Sequence, residues 1–161
     1  MNIRDGRDDD WPSFFPIFSA IIAAGESYAY PLGLASDEAR ALWMEQPPCR
    51  VLMAIEGGRI VGSAKAGPNR PGRGAHVATA SFMVDPNARG RGVGRALALE
   101  VLSWARREGY AAMQFNAVVE TNAAAVGLWR SLGFEILTTV PEAFDSASNG
   151  LVGLHVMYQK L

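Results

Sequence analysis

The stretch Val84-Asp85-Pro86-Asn87-Ala88-Arg89-Gly90-Arg91-Gly92-Val93-Gly94-Arg95 constrains the fold of this chain more than any other. It leaves an apolar run, turns at Pro-Asn, and passes through a loop of glycine and arginine into a helical pattern. The glycines leave backbone N–H groups unobstructed, so that several can converge on one anion. The helix behind adds its unpaired first-turn N–H groups and the positive end of its dipole. Arg89, Arg91 and Arg95 add mobile positive charge. A strand, loop and helix in this order make a phosphate site.

The flanking sequence supplies the rest of an α/β order. Met1 to Asp5 reads as a first strand. Asp10 is placed to cap a helix with Pro12 in its first turn, an apolar face of Phe14, Phe15, Ile17, Phe18, Ile21 and Ile22, and a stop at Gly25. Glu26 to Gly33 is a loop rich in aromatics. Ser36, Asp37 and Glu38 open a second helix reaching about Glu45, before Pro47-Pro48. Arg50 to Glu56 and Arg59 to Lys65 are strands around a Gly57-Gly58 hairpin turn. Gly67 to Gly74 is a longer solvated turn, and His76 to Val84 a third strand of the series. After the loop, Val93, Leu97, Val101 and Trp104 mark a helix that stops at Gly109. Ala111 to Val118 is a strand reached by this crossover, hence parallel to its predecessor. Asn122 caps a further helix, with Ala125, Leu128, Trp129 and Leu132 on one face and Gly133 closing it. Phe134 to Val140 and Leu151 to Gln159 are the last strands, joined by a loop holding Glu142, Phe144, Asp145 and Asn149. The order β-α-α-β-β-β-α-β-α-β-β predicts one mixed α/β domain over residues 1–161.

Composition narrows what the phosphate site can serve. A formal net charge of −1 leaves no excess positive charge to displace counterions, which argues against nucleic acid as a partner. No apolar run approaches the roughly 20 residues that cross a bilayer, and the polar, acidic start is no signal peptide. Cys49 is the single cysteine, so neither a disulfide framework nor a multi-cysteine metal site is expected, and a reducing cytoplasm is the expected compartment.

Two nucleotide motifs fail on particular residues. A triphosphatase loop needs Gly-Lys-Ser or Gly-Lys-Thr, and Gly94 is followed by Arg95-Ala96. A dinucleotide fold places its third glycine where Leu97 stands, and an acid on the next strand where Asn116 stands. What remains is Arg/Gln-x-x-Gly-x-Gly/Ala, met by Arg89, Gly92 and Gly94 after a strand ending Val-Asp-Pro. A second motif, Asn122-x-x-Ala125-x-x-Leu128-Trp129-x-x-x-Gly133-Phe134, follows at the right remove. In both motifs the chain resembles the GCN5-related N-acetyltransferase (GNAT) superfamily, and the element order agrees over nearly its whole length.

That resemblance implies a mixed, mostly antiparallel sheet with helices on both faces and a central parallel strand pair splayed apart. It implies acetyl-coenzyme A as acetyl donor, its pyrophosphate held by Arg89, Gly90, Arg91, Gly92, Val93, Gly94 and Arg95. The splay exposes backbone groups to the pantetheine arm beside Phe82, Met83 and Val84, and a backbone N–H near Val84 would polarise the thioester carbonyl. Asn122, Ala125, Leu128 and Trp129 are carried over as cofactor contacts, Asn122 also being a natural helix cap. Many family members have Tyr where this chain has Trp129, and that hydroxyl protonates the departing thiolate. Indole has only an N–H donor, which leaves the acid to water or to an N–H bond on sulfur. Glu26, Glu120, Glu142 and His155 are candidate bases, though each taken alone reads more readily as a surface or structural residue. The run Gln114 to Asn122 and the ending Gly153 to Tyr158 are similar to a subgroup whose members acetylate proline analogues such as azetidine-2-carboxylate.

The acceptor must be read from other residues. Gln114 and Asn116 share one face of their strand, opposite Met113 and Phe115. Buried amides need partners, so Asn116 is the candidate for a substrate carboxylate or amide, assisted by Thr79, with an internally satisfied polar pair as the alternative. Tyr28 and Tyr30 would cover the acceptor or simply pack their loop. The expected activity is acetylation of a small-molecule amine, an amino acid or proline analogue. Acetylation of a protein N-terminus or lysine, and a non-catalytic acyl-coenzyme A sensor, are the alternatives. Leu151 to Tyr158 could pair as an edge strand across a homodimer.

Overall fold

The computed structural model describes residues 1–161. Seven strands form one sheet: β1 (Asn2–Asp5), β2 (Arg50–Glu56), β3 (Arg59–Pro68), β4 (Val77–Val84), β5 (Ala112–Val119), β6 (Glu135–Ser146) and β7 (Gly150–Lys160). Four helices accompany them: α1 (Trp11–Ala24), α2 (Ser36–Trp43), α3 (Val93–Arg107) and α4 (Ala123–Ser131). The spatial order is β1-β2-β3-β4-β5-β7-β6. Every neighbouring pair is antiparallel except β4 and β5, which the α3 crossover makes parallel. No helix is long and apolar enough to cross a membrane.

Strand alternation sorts the core into two layers. Val51, Met53 and Met83 face one side and meet Trp11, Phe14, Phe18, Ile21 and Trp43 of α1 and α2. Leu52, Ala54, Ala64, Ala66 and Ala78 face the other, under Val93, Leu97, Val101 and Trp104 of α3 and Trp129 of α4. The alanines let α3 lie close to the middle of the sheet, and the aromatics of α1 and α2 fill the wider layer opposite. The one buried hydroxyl chain in that aromatic layer is complete. Trp43 Nε1 donates to Ser63 Oγ at 2.8 Å, and Ser63 donates to the Leu52 carbonyl at 2.8 Å. Gly57 and Gly58 carry φ of 55° and 77°, the double left-handed turn that a two-residue hairpin needs.

Local details depart from the sequence reading at three places. Asp10 does not cap α1 through its side chain. Arg4 holds its carboxylate with two bonds of 2.7 and 2.6 Å, and the Arg7 N–H bonds it at 2.8 Å, because a bidentate guanidinium outcompetes a single amide. Helix α2 ends at Trp43, and its capping bond runs from Ala35 N–H to Glu38 at 2.9 Å, while Ser36 accepts from Trp11 Nε1. The loop expected after Val140 is strand instead. Pro141, Glu142 and Ala143 bulge out between the pairs Val140↔Leu154 and Phe144↔Val152, and pairing resumes to Ser146. Proline cannot donate to a ladder, and a bulge is how a strand accommodates it.

The feature that positions the site is the parting of β4 from β5. They pair only at Val77↔Ala112 and Ala78↔Met113 and then diverge. A bulge on β5, with Asn116 and Ala117 lying between the pairs Phe115↔Met157 and Val118↔His155, bends that strand away. On the α3/α4 side the wedge is filled by rings. Trp129 sits 4.8 Å from both Phe82 and Phe115, and Phe115 stacks on Phe134 at 4.3 Å.

Candidate active site

Beyond Ala78, each strand of the parted pair loses the other as a partner. Asp85 N–H bonds the Val61 carbonyl at 2.9 Å, so alternation turns the amides of Phe82 and Val84 away from β3 and into the gap. By the same alternation Met83 pairs with Ser63 of β3 and buries its side chain under α1 and α2. Asp85 fixes the exit turn by accepting from the Asn87 N–H at 2.9 Å and its amide at 3.0 Å. Gly90 and Gly92 then adopt φ of 74° and 78°, conformations that a side chain would strain.

Gly92 is the N-cap of α3 and no side chain caps that end, which leaves its first N–H groups for an anion. A Cβ on Gly94 would lie 3.5 Å from Leu128 and 3.7 Å from Val84, so loop, strand end and α4 meet there. Arg89, Arg91 and Arg95 are all exposed. Arg91 pairs with Glu56 of the β2–β3 hairpin, and Arg95 donates to Ser131 at 3.0 Å. Across the gap, Asn122 Oδ1 accepts from Ala125 N–H at 3.2 Å as the cap of α4. Ala125, Leu128 and Trp129 pack toward the core around the wedge. The donor set fits a diphosphate carried on an amide-bearing arm: free helix N–H groups, guanidinium groups, and a strand edge that no neighbouring strand pairs.

On the α1/α2 side, Tyr28 and Tyr30 stack at 5.7 Å with their planes 8° apart, and both belong to the aromatic layer with Phe18 and Trp43. The Tyr28 hydroxyl donates to the Phe82 carbonyl at 2.7 Å and accepts from the Phe82 N–H at 3.0 Å. Tyr28 keeps some exposed surface, but its hydroxyl end is enclosed, and that burial holds the phenol far above its usual range. Asn116 is exposed; it accepts from Gln114 at 2.8 Å and donates to Asn69 Oδ1 at 2.6 Å. Arg70 reaches the same Asn69 oxygen at 3.3 Å. Thr79, half-buried opposite Gly67, makes no side-chain hydrogen bond. Asn69 is the member of this group that sequence reasoning missed. It lies 47 positions before Asn116, and no local pattern announces the contact.

No general base is gathered at the gap. Glu26 accepts from Ser146 at 2.6 Å, and that bond, with others from Ser148, holds its carboxyl below the usual range. Glu120 accepts from the Gly153 N–H, and His155 shares a 2.7 Å bond with Thr139. Glu142 sits exposed in the β6 bulge at φ 52°. Burial pushes the Cys49 thiol up to about 11, which keeps it in the thiol form near neutral pH. No group of three or more His, Cys, Asp or Glu is placed to hold a metal ion. A cavity of about 680 Å³ lies away from the gap, between α1 and the β2–β3 hairpin, and its lining includes Arg4, Asp10, Arg59 and Asn87.

The chain matches the model of the "Acetyltransferase (GNAT) family" over residues 7–134. A GCN5-related N-acetyltransferase from Kribbella flavida superposes with a TM-score of 0.96 at 55% identity, over 99% of this chain and 97% of that one. The yncA protein of Salmonella typhimurium, solved with its cofactor acetyl-coenzyme A, superposes at 0.83 with 27% identity, over 100% and 94% of the two chains. The L-methionine sulfoximine/L-methionine sulfone acetyltransferase of Pseudomonas aeruginosa is 31% identical over 147 residues, 88% of this chain and 84% of that protein. Other curated relatives are longer, and the matches to three of them span only 36%, 12% and 17% of their lengths. Splayed strands, an uncapped helix behind a glycine loop, and these likenesses agree: the chain belongs to the acetyltransferase (GNAT) family.

Proposed function

We propose that this chain transfers the acetyl group of acetyl-coenzyme A to the amine of a small carboxylate-bearing molecule, an amino acid or proline analogue. The observation that carries this reading is the β4 edge: Phe82 and Val84 turn their amides away from β3 into a gap that leads into the Gly90–Gly94 loop, with Phe82 bonded there by the Tyr28 hydroxyl and by no strand. The loop and the α3 N-terminus take the pyrophosphate, and Arg89, Arg91 and Arg95 close over it. The β4 edge bonds the amides of the pantetheine arm and sets the thioester carbonyl against a backbone N–H. That N–H stabilises the oxyanion formed when the acceptor nitrogen attacks the carbonyl carbon. The carbon–sulfur bond then breaks, and a thiol of pKa about 8.5 leaves without needing a strong acid. Asn122 steadies the arm from α4. The Trp129 N–H can bond the sulfur but cannot protonate it. With no base bonded into the gap, water carries the ammonium proton away.

For the acceptor, Asn116, Asn69 and Arg70 form a polar group beside the parted strands, suited to a carboxylate. The amino-acid-like substrates in the description of the Pseudomonas aeruginosa relative support this class. The similarity of Gln114–Asn122 and Gly153–Tyr158 to proline-analogue acetyltransferases supports the narrower choice. A cytoplasmic setting fits the lone cysteine. β7 lies between β5 and β6, so Leu151–Tyr158 is no edge strand; a homodimer would instead use the edge strand β6 with its exposed Leu137 and Val140, and light scattering at micromolar concentration would check it.

Thiol release from acetyl-coenzyme A is the test, across azetidine-2-carboxylate, hydroxyprolines, methionine sulfoximine and peptides. Turnover of a free amino acid or cyclic analogue is expected. Preference for peptides would move the acceptor class to proteins, and tight donor binding without any turnover would make the chain a sensor. With an acceptor in hand, Asn116→Ala should raise its KM about tenfold or more while leaving the KM for acetyl-coenzyme A unchanged. Equal losses for both substrates would remove Asn116 from the acceptor site.

A further inference from the structure

Tyr28 stands where the donor has to be. Its hydroxyl bonds both the N–H and the carbonyl of Phe82, across 54 positions of sequence. Those two groups face the gap at a point where β5 has already moved out of pairing range. The ring is fixed from behind by Tyr30 at 5.7 Å and edge-on by Trp43 at 6.2 Å, whose indole is tied to Ser63. A hydroxyl oxygen that accepts a strand N–H takes the place that a carbonyl oxygen takes in a sheet. An enclosed N–H and carbonyl without partners are costly, and the phenol supplies both partners at once.

We propose that the Tyr28 hydroxyl is a built-in occupant of the thioester-carbonyl position, which acetyl-coenzyme A must displace from Phe82 in order to bind productively. This rests on the donor reading above. The donor-free protein keeps the parted strand satisfied and closed to other extended segments. The donor's carbonyl oxygen then replaces the phenol oxygen on the same N–H. Because the two compete, the apparent donor affinity is lowered by the population of the phenol-bound state. Removing the hydroxyl while keeping the ring removes the competitor and leaves the aromatic stack in place.

The test is acetyl-coenzyme A binding by calorimetry to wild type and to Tyr28→Phe. The variant is expected to bind about three- to tenfold more tightly. Unchanged or weaker binding overturns the proposal. A wild-type readout stands beside it. Donor titration should move the enclosed phenol and give a tyrosine difference-absorbance signal that Tyr28→Phe lacks; saturation without that signal also overturns it. Failure of the wild type to bind acetyl-coenzyme A sinks the donor reading and the exchange together. Wild-type binding without a gain in the variant sinks the exchange alone.

Discussion

Two residues far from the gap hold its frame. Ser63 lies fully buried between Trp43 and the Leu52 carbonyl, a donor to one and an acceptor from the other. Ser63→Ala orphans the indole N–H and one carbonyl bond. It should cost about 1–3 kcal/mol, read as a lower urea midpoint. Asp10 ties β1 to the start of α1 through Arg4. The hydrogen bond from Arg4 is the main cause holding its carboxyl below the usual range, against the opposing pull of burial. A lowered folded-state pKa means that this stabilisation is present above the unfolded value of about 3.9 and is lost as pH falls through the folded one. Asp10→Asn should therefore lower the urea midpoint at neutral pH, with the difference from wild type shrinking steadily toward about pH 2. A difference that persisted there would mean that the charge is not what matters.

At the scale of elements, the anion loop is tied to the neighbouring hairpin by one ion pair. Arg91 is held by Glu56 on the neighbouring hairpin, and the pair is largely exposed. Glu56→Gln releases that arginine and should tighten acetyl-coenzyme A about two- to fivefold at low salt, an effect that fades by roughly 0.5 M as the charges are screened. Isothermal titration at two salt concentrations checks it. The loop was legible in sequence because glycine spacing, a preceding strand and a following helical stripe are local signals, and Gly90, Gly92 and Val93 sit as that pattern predicts. The β6 bulge was not legible, since Pro141 imitates a strand end and only the partner strand β7 reveals that pairing resumes. Asn69 and the Tyr28–Phe82 contact were invisible for a related reason. Each depends on strands that meet only after the sheet is assembled.

For the whole molecule, order and layering followed from periodicity, whereas the parting of β4 and β5 entered only through family resemblance. Nothing in Thr79 to Val84 or Gln114 to Val118 distinguishes a splayed pair from a closed one. The parting coincides with a bulge on β5, a wedge of rings between the two strands, and the Tyr28 hydroxyl bonded to β4. The wedge also gives the molecule a built-in optical reporter. Among the four tryptophans, Trp11 and Trp43 lie in the aromatic layer and Trp104 on the sheet-facing side of α3, while Trp129 alone lies between Phe82 and Phe115 at the parting. Filling the gap changes the surroundings of that indole directly, and those of Trp43 only through its edge contact with Tyr28. Acetyl-coenzyme A should therefore shift or quench the intrinsic emission of the wild type, and most of the change should be lost in Trp129→Phe. Donor occupancy could then be followed in real time on unlabelled protein, whatever the acceptor proves to be.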